Sequence, residues 1–103
     1  MQHSLGVIEL SRPLVEAIQR KDRDLASQLR RALSSISLNL AEGFGHSSGN
    51  ARLRFETALG SLKESQAAFR VAIAWGYISA AGASETLASM NSLGGRVFGL
   101  VRR

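Results

Sequence analysis

The sequence contains no cysteine. A disulfide framework, a thiol nucleophile and a thiolate metal site are therefore all excluded. The absence fits a reducing, cytoplasmic setting. Proline is nearly as scarce, with Pro13 standing alone, and the aromatic set is one Trp, one Tyr and four Phe. β-branched residues are few beside abundant Ala, Leu, Ser and Arg, a mix that favours helix over sheet. Long apolar runs are missing too. The longest charge-free stretch, Val71 to Ser84, is interrupted by Gly and Ser. It is shorter than the roughly 20 residues a spanning helix needs. The opening Met1-Gln2-His3-Ser4-Leu5 lacks the basic start and apolar run of a signal peptide. A soluble protein without a membrane partner is expected.

Lysine is almost absent, and arginine takes its place. Eleven Arg and two Lys face eight acidic residues, for a net charge of +5. Arginine makes forked contacts to phosphate and carboxylate that lysine cannot make. The charge points to anionic partners, nucleic acid first. The candidate contacts are Arg20, Lys21 and Arg23 in a first polar break, Arg30 and Arg31 in the second segment, Arg52 and Arg54 opening the third, and Arg102 and Arg103 at the end. Aromatic interleaving for base stacking is weak, because Phe44, Trp75 and Tyr77 are scattered and read as packing residues.

With 103 residues the chain suffices for one core, and one domain over 1–103 is expected. Four segments repeat apolar residues at helical spacing. The first carries Val7, Ile8, Leu14, Val15 and Ile18, and its phase runs unbroken across Pro13, which favours one kinked helix over a helix capped by Ser11 with the proline in its first turn. The second holds Leu25, Leu29, Leu33, Ile36 and Leu40, with Asp24 as its expected N-cap. Gly43, Gly45 and Gly49 with Ser47 and Ser48 then predict a stop, a loop and a new cap. The third carries Phe55, Leu59, Leu62, Phe69 and Ile73, closed by Gly76. The fourth, capped by Ser79, carries Leu87, Met90, Val97 and Val101 with Leu93 and Leu100 beside them. Short connections between amphipathic helices predict an all-α, antiparallel up-down four-helix bundle. Leu38, Phe44 and Leu53 fall off the stripes and predict self-association.

Residues 27 to 78 carry a resemblance. Ser27-Gln28-Leu29-Arg30-Arg31-Ala32 opens it, and Ser35-Ile36-Ser37-Leu38-Asn39-Leu40-Ala41-Glu42-Gly43-Phe44-Gly45 is its centre. Arg54-Phe55, Ala58-Leu59-Gly60-Ser61-Leu62-Lys63-Glu64 and Gly76-Tyr77-Ile78 complete it. The chain resembles the proteins encoded within intervening sequences of bacterial 23S ribosomal RNA genes. More distantly it is similar to the accessory variability protein of diversity-generating retroelements. The family usually has a proline where Ser37 stands. The resemblance implies a bundle assembled as a homopentameric ring, without enzymatic activity. For the retroelement relative it implies a basic ring that binds a reverse transcriptase and nucleic acid.

No catalytic, cofactor or metal site is expected from the residues. His3 and His46 have no partners at ligand spacing, where zinc needs about three or four. A Ser/His/Asp arrangement through His46 lacks a nucleophile-elbow pattern. Gly43-Phe44-Gly45 follows a helix, whereas a phosphate loop opens one. The Gly95-x-x-x-Gly99 spacing predicts a close approach of the fourth helix to a neighbour. Asn39 and Glu42, joined by Arg31 and Glu64 if helices two and three pair antiparallel, predict a structural polar cluster that fixes register. An enzyme built on Glu42 and Glu64 would lack a nucleophile, metal site or cofactor loop. The remaining readings are a non-catalytic oligomer that binds RNA or DNA, as accessory to a nucleic-acid enzyme, and a protein-interaction scaffold.

Overall fold

A computed structural model of the chain describes residues 1–45 and 49–103. Four helices make up the described residues, with no strand among them: α1 (Gln2–Gln19), α2 (Arg23–Gly45), α3 (Gly49–Trp75) and α4 (Ala80–Arg102). None of the helices is long and apolar enough to cross a membrane. Together they form a rod with extents of 43 × 22 × 19 Å.

Burial follows the spacing of the apolar residues. On α3, Phe55, Ala58, Leu62, Ser65, Phe69 and Ala72 are buried at alternating steps of three and four, which keeps them on one helical face. Val7, Val15 and Ile18 of α1, Leu29, Leu33, Ile36 and Leu40 of α2, and Met90, Leu93 and Val97 of α4 meet them in one cluster. Helices α1 and α2, α2 and α3, α3 and α4, and α1 and α4 are in contact. Burying a side chain such as Phe69 fully contributes about 1.5–3 kcal/mol, and no helix can bury its stripe without the others.

Local signals set the ends of the helices. The cap of α2 is Asp22 rather than Asp24: the Leu25 N–H donates to Asp22 Oδ1 at 3.0 Å, and the Ala26 N–H donates to the Asp22 carbonyl at 3.2 Å. Asp24 lies inside the first turn, where its charge favours the positive end of the helix. Gly76 closes α3 at φ +79°. Its N–H donates to the Ile73 carbonyl and the Tyr77 N–H to the Ala72 carbonyl, both at 2.9 Å, the double bond of a Schellman stop. Ser79 caps α4, accepting from the Gly82 N–H at 2.9 Å.

Pro13 lies inside α1, which runs on past it. Proline has no N–H and crowds the turn before it. The Thr86 hydroxyl of α4 donates to the Leu10 carbonyl at 3.4 Å, giving that loosened turn a partner. Ser37, where the resemblance has proline, is buried and donates to Ser4 Oγ at 2.9 Å, and Ser4 donates to the Met1 carbonyl at 2.7 Å.

The glycine cluster does divide α2 from α3, which end and begin at Gly45 and Gly49, but individual glycines act otherwise than expected. Gly43 does not stop α2. It is buried within the helix, and a Cβ there would stand 2.4 Å from Cε1 of Phe55. Close approach, rather than a left-handed turn, is what this glycine permits. Gly95 and Gly99 have open space where a Cβ would be, and the glycine of α4 whose Cβ would meet a neighbouring helix is Gly94, at 3.3 Å from Leu62 Cδ2. The Ser47–Ser48 cap and His46 lie outside the described residues.

The contrast predicts opposite signs for one substitution. Gly60 also has open space at its Cβ position, so Gly60→Ala stabilises by roughly 0.5–1 kcal/mol through helix propensity. Gly43→Ala destabilises by about 1–3 kcal/mol, because the buried Phe55 ring must move. Urea unfolding midpoints of the two variants check both directions.

Candidate nucleic-acid interface

Electrostatics sort the basic residues into groups. The first gathers where α1 turns into α2. Arg20, Arg23 and Arg30 line a shallow groove with Glu16 and Gln19, and Lys21 is exposed within the same turn. The Arg30 guanidinium donates to Gln19 Oε1, which ties the second helix back to the end of the first. Three cations against one carboxylate leave the groove positive.

The aromatic pair at the end of α3 reaches this turn. Tyr77 donates its hydroxyl to Asp22 Oδ2 at 3.3 Å, and Asp22 is the α2 cap flanked by Lys21 and Arg23. Trp75 stacks on Tyr77 with ring centroids 6.4 Å apart and planes 18° from parallel. The indole is 70% exposed. Trp75 is therefore not a packing residue, contrary to the sequence reading. The Schellman turn at Gly76 throws it outward while folding Tyr77 back on Asp22. Phe44 is mostly exposed as well, though its ring lies 5.1 Å from that of Phe55. Nothing in the spacing of Trp75 and Tyr77 signals this placement, because it follows from the turn and from a contact 55 residues away.

The second polar group joins α2 to α3. Arg54 Nε pairs with Glu42 Oε2 at 2.8 Å, and an Arg54 Nη donates to Asn39 Oδ1 at 3.4 Å. The Asn39 amide donates to the Ser35 carbonyl at 2.9 Å and to Ser35 Oγ at 3.0 Å, and Ser35 Oγ shares a 2.8 Å bond with Ser61 Oγ. Asn39 and Glu42 thus come together, as expected, but their cation is Arg54. Arg31 stands eleven residues before Glu42 on the same helix, about 16 Å along the axis, and donates instead to Ser27 Oγ at 2.9 Å. Glu64 is exposed and enters no ion pair among the described residues. Arg54 is therefore partly neutralised. Being exposed, its ion pair is worth about 1 kcal/mol or less.

The remaining candidates are separate. Arg52 is exposed at the start of α3. The Arg102 guanidinium lies 5.6 Å from the centroid of the exposed Phe98 ring, and Arg103 lines a cavity with Arg96 and His3. No cluster of metal-ligating side chains occurs among the described residues.

Comparison with known proteins gives one family: the 23S rRNA-intervening sequence proteins match residues 2–99. No curated protein and no solved structure matches the chain.

The Asp22–Tyr77 contact has a spectroscopic signature. The Tyr77 phenol is held above its ordinary value of 10.0, first by desolvation, then by the charge of Asp22 and the hydrogen bond to it. Its raised value means the fold favours the neutral phenol. The linked stability is therefore complete below the unfolded-state value of about 10 and is lost as pH rises through the folded-state value. Tyr77 is the only tyrosine, so the phenolate absorbance titration belongs to it alone. Its midpoint lies above that of the unfolded chain, and Asp22→Asn brings it down.

Proposed function

The chain belongs to the family of 23S rRNA-intervening sequence proteins, and from that premise we propose that it is a non-catalytic helical bundle that binds nucleic acid, RNA first, in the cytoplasm. The observation that carries the proposal is the α1–α2 turn, where Arg20, Arg23 and Arg30 line one groove and Tyr77, on which the exposed Trp75 stacks, bonds to Asp22 between Lys21 and Arg23. Cations there neutralise phosphates and release counterions. The indole gives an unpaired base a face to stack on, and stacking tolerates any base. The binding is phosphate-directed, salt-sensitive and weakly sequence-specific.

The helices run up-down-up-down and the protein self-associates, as a pentameric ring by family likeness. Leu38 and Leu53, 66% and 60% exposed, support a contact surface for a further copy. Symmetry repeats the basic turn around the axis, and modest patches sum to a stronger field. Such a ring suits an accessory to a nucleic-acid enzyme, a reverse transcriptase being one partner of that class. The same apolar side chains support a second reading, a protein-interaction scaffold without direct nucleic-acid contact.

Gel shifts with single-stranded RNA separate the two. Retention weakens as salt rises, with a log–log slope of about −0.7 per phosphate neutralised. Joint replacement of Arg20, Lys21, Arg23 and Arg30 by Ala abolishes it at moderate salt. Trp75→Ala costs about 1–3 kcal/mol on single strands and spares duplex binding. Wild-type protein that fails to retain RNA or DNA at low salt leaves the scaffold reading. Solution mass, measured with the ultraviolet absorbance ratio, reports the oligomer and any co-purifying nucleic acid together.

A further inference from the structure

A cavity of about 730 Å³ opens where the first turn of α1 meets the last turns of α2 and α4. That size lies within the roughly 300–1,000 Å³ range of small-molecule pockets. Its floor is apolar: Leu40, Leu93 and Val97 line it, each at most 3% exposed. Its rim is basic, formed by His3, Arg96 and Arg103, and no acidic side chain lines it.

The basic rim is uncompensated and partly fixed. The Arg54–Glu42 pair is the one salt bridge among the described residues, so no acidic side chain among them pairs with Arg96 or Arg103. An Arg96 Nη lies 3.0 Å from His3 Nδ1, and His3 Nε2 lies 3.4 Å from Ser89 Oγ. Arginine is a donor only, so it donates to the imidazole, and His3 carries its proton on Nε2 toward Ser89. The contact orients the guanidinium while leaving its other N–H groups and its full charge available.

We propose that this cavity binds a small amphipathic anion, a monocarboxylate with a short aliphatic tail. The carboxylate takes charge-assisted hydrogen bonds from Arg96 and Arg103, and the tail covers Leu40, Leu93 and Val97. A bare phosphate or a nucleic-acid backbone would leave that floor uncovered. A cation would meet only like charge at the rim. The site stands apart from the α1–α2 turn and does not depend on nucleic-acid binding there.

Calorimetric titration of the full chain with octanoate, octylammonium, acetate and inorganic phosphate tests the assignment. Octanoate binds, and the other three are at least about tenfold weaker, since each lacks either the charge or the tail. Both Arg96→Gln and Arg103→Gln are surface changes. Each weakens octanoate about tenfold, in line with the loss of one hydrogen bond to a charged group, while circular dichroism is unchanged. Amide shifts on octanoate addition cluster at His3, Leu93 and Val97. Equal binding of octanoate and octylammonium overturns the proposal, as does phosphate binding as tightly as octanoate. Absence of octanoate binding, full affinity in both variants, or shifts centred on the α1–α2 turn overturn it as well.

Discussion

Helices α2 and α3 can lie close along their length only because the side chains between them are small or bonded. Gly43 leaves room for the Phe55 ring between the two helices. Ser35 and Ser61 meet hydroxyl to hydroxyl, and Asn39 and Glu42 hold Arg54 across the same seam. A larger residue at Gly43 would push the helices apart, and an unpaired polar group in the seam would cost about 1–3 kcal/mol. This contact, the most extensive between any two helices, sets the separation at which α1 and α4 close over the remaining apolar faces.

The polar seam also fixes register. Apolar stripes tolerate sliding, since one leucine packs about as well as the next. Hydrogen bonds do not, because a one-turn slip breaks the Ser35–Ser61 bond and parts Arg54 from Asn39 and Glu42. Ser37, Ser4 and Thr86 extend the same logic to α1 and α4. The interior thus combines an apolar cluster that drives collapse with a few hydroxyls that select one arrangement.

With register fixed, chemistry collects away from the middle of the rod. The α1–α2 turn carries cations and is joined through Tyr77 to an exposed indole, and the meeting point of α1, α2 and α4 carries cations around an apolar floor. The two regions share arginine but differ in what surrounds it. Flat exposed aromatic surface suits a polymer that must be gripped and released. A concave apolar floor suits a small molecule with a tail.

The sequence by itself determined the helices and their inward faces. Leu29, Leu33, Ile36, Leu62, Phe69, Met90 and Val97 are buried where their spacing puts them, because the period of an α-helix is a local property. The Gly76 stop and the Ser79 cap were legible for the same reason, since each acts on its own turn of backbone. The exposure of Leu38, Phe44 and Leu53 followed from their place off the stripes. Only the tertiary structure decided which distant groups meet: Arg54 rather than Arg31 at Glu42, Phe55 against Gly43, Tyr77 on Asp22, and His3 on Arg96. Those pairings depend on the separation and register of whole helices, which many side chains set together and no short stretch of sequence encodes alone.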